Sequence, residues 1–122
     1  MKQEAAEKTI KHDVRIGKKE GAGDIYFVED IVIDKNKSGH NPTITWSSDD
    51  TEFEIWFPRD RNPVTGIPFL RRLSANSRGR RVIRHFKNLK NLEPGVYHYT
   101  IFCKKNNSMA EGNSPPRMII MR

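Results

Sequence analysis

The sequence predicts an all-β domain, a Greek-key β-sandwich of seven to eight strands. Short apolar runs recur at regular spacing, and clusters of turn residues separate them. Long connections alternate with tight ones, which is typical of a Greek key. No stretch keeps a helical period of about 3.6 residues beyond a single turn. At 122 residues the chain has the length of one domain, and we expect a flexible tail over 1–9 before a domain over 10–122.

The first two strands are predicted from the alternation of apolar and polar residues. Residues 10–16 form the first strand, and residues 25–33 form the second. A bulge or bend is expected in the second strand near Glu29 and Asp30, because Glu29 interrupts its apolar face. The residues expected to share that face are Ile25, Phe27, Ile31 and Ile33.

The middle strands carry most of the aromatic residues. Residues 43–46 are expected to bury Ile44 and Trp46. Residues 52–57 alternate cleanly, which predicts three inward side chains, those of Phe53, Ile55 and Phe57. The same alternation predicts that Trp56 points outward. A short strand is expected near 69–73, and another over 82–86.

The last third of the chain gives the strongest strand prediction. A Pro94-Gly95 turn precedes residues 95–104, in which apolar residues recur at every second position. A loop over 106–114 then leads to a final strand over 116–121. The residues expected on the inward face of the long strand are Tyr97, Tyr99, Ile101 and Cys103.

A resemblance to a known fold rests on three features of residues 25–122. They are Thr43-Ile44-Thr45-Trp46 followed by Phe53-Glu54-Ile55-Trp56-Phe57, a glycine-arginine loop with a strand ending at Phe86, and Pro94-Gly95-x-Tyr97-x-Tyr99. In this order they resemble the cupredoxin fold of the blue copper proteins. The resemblance implies a Greek-key sandwich whose copper site, where present, uses a thiolate, two imidazoles and a weak thioether.

The copper ligands of that family are mostly missing from this sequence. Alignment on Tyr97 and Tyr99 places Ile101 at the thiolate position, Lys104 at the histidine position and Met109 at the methionine position. The earlier histidine position falls on Glu52 or Phe53, and no histidine follows His98. We therefore expect no blue copper centre, no metal site of that kind and no cofactor. The alternative is a metal-handling domain that binds copper through histidines outside this pattern.

The single cysteine excludes an internal disulfide. We interpret Cys103 as a buried, small apolar residue, although Lys104 and Lys105 would lower its pKa if it were exposed. His98 alternates away from the core face and is expected on the sheet surface. The other histidines, His12, His40 and His85, have no partner at ligand spacing.

The positive charge of the chain is concentrated in one segment. The net charge is +7, yet residues 58–90 contain ten Lys and Arg residues and a single acid, Asp60. Guanidinium groups bind phosphates and carboxylates in a bidentate manner. We therefore predict a polyanion-binding face for nucleic acid or an acidic protein; the alternative is a solvated loop that keeps the domain soluble. Its candidate residues are Arg71, Arg72, Arg78, Arg80, Arg81 and Arg84.

Trp56 is a second candidate contact. A tryptophan that points outward from a strand with regular apolar-polar alternation can act as an anchor residue for a binding partner. The alternative is that the long loop after Pro58 folds back and covers the ring.

Several function classes find no support in the sequence. It contains no nucleophile elbow, P-loop, paired-histidine zinc helix or dinucleotide fingerprint, so we expect a non-catalytic protein. Glu52 and Glu54 share one face of a strand, an arrangement typical of solvated strand faces.

No apolar run approaches the roughly 20 residues that span a bilayer. Residues 1–11 lack the apolar region of a signal peptide, which favours a cytoplasmic location, or a periplasmic or secreted one if a leader has been removed.

Overall fold

The computed structural model describes residues 11–18, 21, 23, 25–37, 42–58, 61–65, 80–86, 88–111 and 116–122. Of these residues, 58% lie in strands and 4% in helix, so the predicted all-β class is confirmed. The tail expected over 1–9 and the strand expected near 69–73 lie outside them. No helix in the described part of the chain is long and apolar enough to cross a membrane.

The described residues form ten strands and one 3₁₀ turn at Leu89–Asn91. In chain order the strands are β1 (Lys11–Lys18), β2 (Tyr26–Val28), β3 (Ile31–Asp34), β4 (Thr43–Ser47), β5 (Phe53–Trp56), β6 (Arg81–His85), β7 (Gly95–His98), β8 (Thr100–Cys103), β9 (Ser108–Met109) and β10 (Arg117–Met121). The count exceeds the prediction because the second and the long strand are each divided in two. In addition, β9 lies where a loop was expected.

The first layer is a four-stranded sheet in the order β2-β1-β4-β6. β1 and β4 run parallel, while the outer pairs are antiparallel. Alternate residues face inward along each strand, because successive side chains of a strand point to opposite faces. The buried residues of this layer include Val14, Ile16, Ile44, Trp46 and Val82, and the predicted burial of Ile44 and Trp46 is confirmed.

The second layer consists of two three-stranded ladders, β3-β10-β7 and β5-β8-β9. They are joined because β7 and β8 are consecutive parts of one extended segment. Tyr99 lies between them, and its amide donates to the Pro116 carbonyl at 3.1 Å. The four residues predicted on its inward face are all buried, namely Tyr97, Tyr99, Ile101 and Cys103. Both layers contribute to a single core cluster, which gives a sandwich-like arrangement.

The chain changes layers between Val28 and Ile31. The predicted break at Glu29 and Asp30 is confirmed, because β2 pairs with β1 of the first layer and β3 pairs with β10 of the second. The predicted inward face was wrong before the break. Tyr26 and Val28 are buried, whereas Ile25 is exposed and Phe27 half-buried. The break shifts the alternation by one residue, and Ile31 and Ile33 then face inward as predicted.

An aromatic cluster connects the layers at the centre of the core. The Trp46 indole N–H donates to the Tyr99 hydroxyl at 3.2 Å, and their rings meet edge to face with centroids 5.9 Å apart. Phe57 stacks on the other side of Tyr99 at 4.9 Å. Burial raises the pKa of the Tyr99 hydroxyl well above its ordinary value, so it remains protonated.

The Pro94-Gly95 turn orients β7. Gly95 has a φ of 149°, a conformation that glycine adopts more readily than other residues. The Tyr97 hydroxyl donates to the Glu93 carbonyl at 2.7 Å and thereby fixes the turn against the strand.

Candidate functional site

Three of the six candidate arginines lie within the described residues: Arg80, Arg81 and Arg84. Arg80 has a left-handed backbone (φ 65°), and its carbonyl accepts a hydrogen bond from the Ser48 amide at 3.0 Å. This bond anchors the turn that enters β6, where Arg81 is exposed. Arg71, Arg72 and Arg78 lie outside the described residues, so their part in a common face remains a prediction.

Arg84 lies on the other face of β6 from Arg81. Its neighbours at alternate positions, Val82 and Phe86, are buried, and Arg84 itself is half-buried. Its guanidinium donates to the Ile83 carbonyl at 2.7 Å. The structure therefore does not bring Arg81 and Arg84 together on one sheet face, because an odd spacing in a strand places side chains on opposite sides.

Arg81 instead joins basic residues from a distant part of the sequence. The register places Ser47 of β4 between Arg15 of β1 and Arg81 of β6. It likewise places Thr43 between Lys11 and His85. Adjacent strands are about 4.8 Å apart, so each pair of basic residues spans roughly 10 Å across one short side chain.

We call this surface the basic sheet face. Its residues are Lys11, Arg15, Thr43, Thr45, Ser47, Arg81 and His85. Asp13 and the exposed Ile83 also lie on this face, on either side of Thr45. Its floor is the row of hydroxyl side chains on β4, and the Thr43 hydroxyl lies 3.2 Å from Nδ1 of His85. Long basic side chains on β1 and β6 border this floor. The alternation of hydroxyl and apolar residues in β4 was visible in the sequence, but the identity of its neighbouring strands was not.

Two acids moderate the charge of the basic sheet face. Asp13 lies beside Thr45 in the register, and the Asp49 carboxylate pairs with the Arg15 guanidinium. Both partners of that ion pair are largely exposed. Exposed pairs contribute little stability, so Arg15 can exchange Asp49 for another anion at small cost.

A second ionic cluster occupies the loop end of the sandwich. Asp50 accepts hydrogen bonds from the Tyr26 hydroxyl and the Lys105 ammonium, both at 2.6 Å, and Lys18 lies 3.6 Å away. The hydrogen bonds from Lys105 and Tyr26 are the main reason why the pKa of the Asp50 carboxyl is lowered to about 2. Asp50 thus joins the end of β1, the start of β2 and the loop after β8.

A cleft of about 810 Å³ lies next to this cluster, between β1, β2 and residues 49–50. Four carboxylates line it, and three of them are paired: Asp49 with Arg15, Asp50 with two lysines, and Asp30 with Arg117 at 2.5 Å. The bond to Asp30 also raises the pKa of Arg117. Carboxylates held ionised by cations are poorly suited to act as general acids near neutral pH.

The positions aligned with copper ligands carry no ligand set. Ile101 is fully buried, Lys104 lies 3.6 Å from the Glu54 carboxylate, and Met109 is exposed. Burial raises the pKa of the Cys103 thiol to about 11, which disfavours the thiolate that metals bind. Within the described ranges, no three or more His, Cys, Asp or Glu residues are grouped so that they could hold a metal ion.

The described histidines are separated from one another. His98 is exposed on β7, as predicted, and His85 belongs to the basic sheet face. His12 faces the interior at the start of β1, and burial lowers its pKa more than the nearby Asp13 raises it. His12 therefore contributes little positive charge near neutral pH.

Trp56 lies on the outward side of β5 by alternation, yet its side chain is only 9% exposed. The indole N–H donates to the Glu54 carboxylate at 3.2 Å. Little of the ring is open to a partner in this conformation, and a role for Trp56 in partner contact remains a prediction.

Comparison of the chain with protein-family models, with curated proteins and with solved structures finds no significant match.

Proposed function

We propose that this chain is a non-catalytic binding domain with a cupredoxin-like Greek-key architecture and a basic face for a polyanionic partner, either nucleic acid or an acidic protein. The architecture is supported by the β2–β3 segment, which passes from the first layer to the second, by the β7–β8 segment, which joins the two ladders of the second layer, and by the C-terminal strand that pairs with both β3 and β7. The proposed contact surface is the basic sheet face, extended by Arg80.

One observation carries the binding proposal: Arg15 and Arg81 border Ser47 across three adjacent strands. A phosphate group above Ser47 would accept a hydrogen bond from its hydroxyl and charge-assisted bonds from either guanidinium. Thr43, with Lys11 and His85, repeats this arrangement toward the other end of β4. The two positions lie on either side of Thr45, whose neighbours are Asp13 and Ile83, so the face offers two phosphate positions rather than a continuous row.

The chemistry of the described residues supports binding rather than catalysis. The one thiol is buried and protonated, and the carboxylates paired in the cleft are held by cations. The residues of the basic sheet face are hydrogen-bond donors, and no activated nucleophile was identified among them.

The test is the salt dependence of binding to a fluorescent single-stranded oligonucleotide of mixed sequence. The face variant carries Lys11→Ser, Arg80→Asn and Arg81→Ser; asparagine tolerates the left-handed backbone at Arg80. The control variant carries Lys37→Ser, Lys90→Ser and Arg122→Ser, three exposed residues that do not belong to the strands of the face. Both variants lose three positive charges.

We expect the face variant to bind every sequence more weakly. Each phosphate interaction that is removed should reduce the slope of log affinity against log salt by about 0.7, so the slope should fall by roughly two. The control variant should nearly retain the wild-type slope. An equal weakening of the two variants would show that only net charge matters. Competition by polyglutamate as effective as by the oligonucleotide would favour an acidic protein as the partner.

A further inference from the structure

The outer face of the second layer differs in character from the basic sheet face. On the ladder β3-β10-β7 the register aligns Val32, Ile119 and Val96 in one row across three strands. Met121 follows Ile119 at the next outward position of β10. Val32 is 52% exposed, Val96 40% and Met121 47%, while Ile119 is half-buried between them. We call these four residues the apolar sheet face.

These residues form a patch rather than isolated exposed side chains. Side chains directly opposite each other on adjacent strands lie about 5 Å apart, so the three aligned residues touch or nearly touch. Single exposed apolar residues are common, but contiguous apolar surface on a monomer marks an interaction site.

The end of the patch next to Met121 is basic. Lys35, Lys37 and Arg122 belong to the two chain segments that meet there: the Lys35 amide donates to the Met121 carbonyl at 3.1 Å, and the Asn36 side-chain amide donates to the Arg122 carbonyl at 3.5 Å. Arg61 borders the patch at Val96, whose carbonyl accepts its hydrogen bond at 2.9 Å.

The guanidinium of Arg61 also stacks 4.3 Å from the centre of the Tyr97 ring, which holds it in place. Two acids also lie at this end: Asp34, which is beside Met121 in the register, and Glu93. Positive charge prevails because four cations, Lys35, Lys37, Arg61 and Arg122, accompany these two acids. At the other end, Arg117 is neutralised by Asp30.

We propose that the apolar sheet face docks a protein segment that combines apolar side chains with acidic residues at one end. Its apolar side chains would cover Val32, Ile119 and Val96, and its carboxylates would meet the basic end at Lys37 and Arg122. A second copy of this chain is a poorer occupant, because each copy has a net charge of +7 and presents the same basic end. This surface lies on the other layer from the basic sheet face, and the inference does not depend on polyanion binding.

The experiment selects peptides from a random display library on the wild-type chain, with counter-selection on Val32→Thr/Val96→Thr. Threonine keeps the strand preference and shape of valine but replaces a methyl group by a hydroxyl. We expect the enriched peptides to carry apolar residues followed by Asp or Glu. The double variant should bind them roughly tenfold more weakly, because a hydroxyl replaces a methyl group under the peptide at both positions. The matched control is Ile25→Thr/Ile83→Thr, which alters two exposed apolar residues in or next to strands of the first layer. It should bind the selected peptides as tightly as the wild type does.

Two further measurements locate the contact. Amide chemical shifts should change on β3, β7 and β10 when a selected peptide is added. Lys37→Glu/Arg122→Glu should no longer bind the peptide, and a version of the peptide with Lys in place of its acids should bind this variant instead.

The proposal fails if no peptide is enriched, if the enriched peptides are basic, or if the shifts fall on β1, β4 and β6. Concentration-dependent dimerisation that Val32→Thr/Val96→Thr abolishes would identify a second copy as the occupant and overturn it. Sedimentation with vesicles of phosphatidylcholine and phosphatidylserine, abolished in the same variant, would identify a membrane surface and also overturn it.

Discussion

The single residue Asp50 connects parts of the fold that are far apart in the sequence. Its carboxylate binds Tyr26 and Lys105 and lies near Lys18, which come from three separate segments. Its ionised carboxylate joins these segments at the loop end of the sandwich. Its role depends on its charge, because two of its partners are ammonium groups.

This charge predicts how stability depends on pH. The pKa of Asp50 is about 2 in the folded protein against 3.8 for the unperturbed group, so its contribution is complete above pH 3.8 and disappears as the pH falls toward 2. Asp50→Asn should therefore be less stable than the wild type at pH 5, and the difference should shrink between pH 4 and 2. Urea unfolding across this range measures it, with Tyr26→Phe expected to show a smaller change in the same window. A difference that stays constant from pH 5 to pH 2 would contradict the assignment.

Among the strands, alternation located the elements but not their neighbours. The strands β4 and β5 and the β7–β8 segment were predicted with their inward faces, because burying one face of a strand forces a period of two, whereas β1, β6 and β10 were predicted as strands without a stated inward face. The break at Glu29 was also predicted, but the shift of face across it was not. Tyr26 is buried because its ring enters the core while its hydroxyl reaches Asp50, a partner that alternation does not reveal.

The candidate site shows a similar division. The basic character of residues 58–90 was evident, yet Arg81 and Arg84 lie on opposite faces of β6, and Arg81 faces Arg15 across Ser47. This juxtaposition depends on the order of strands in the sheet, which long-range pairing determines. The apolar sheet face was missed for the same reason: Val32, Val96 and Ile119 belong to three strands that are far apart in the sequence.

The junction of β7 and β8 gives a prediction about packing between the layers. In Tyr99→Phe the buried Trp46 N–H no longer has its acceptor, which should lower the free energy of unfolding by about 1–3 kcal/mol. Tyr97→Phe is the matched control. It removes the hydroxyl that donates to the Glu93 carbonyl. Because Glu93 is exposed, water can replace this hydrogen bond. The free energy of unfolding should therefore decrease by only about 0.5–1.5 kcal/mol, roughly the net value of one hydrogen bond. Denaturant unfolding of both variants measures the two changes. An equal or larger decrease in the free energy of unfolding in Tyr97→Phe would contradict the prediction for Tyr99.

For the whole molecule, the resemblance to blue copper proteins can be tested by metal addition. We expect Cu(II) to produce no intense visible charge-transfer band, because the Cys103 thiol is buried and its pKa is about 11. Cys103→Ala should leave the metal stoichiometry unchanged by spectroscopic titration. A blue colour would refute this expectation. Tight colourless binding that disappears in His85→Ala or His98→Ala would instead favour a metal-handling domain.

The position of β10 has a consequence for how the protein is made. This strand lies in the middle of its ladder, between β3 and β7, although it is the last strand in the chain. During synthesis on the ribosome, the ladder β3-β10-β7 cannot assemble until residues 117–121 have emerged. Until then the apolar edges of β3 and β7 lack their common partner. Such unpaired edges bind chaperones or other nascent chains, so correct folding depends on how quickly this late strand arrives.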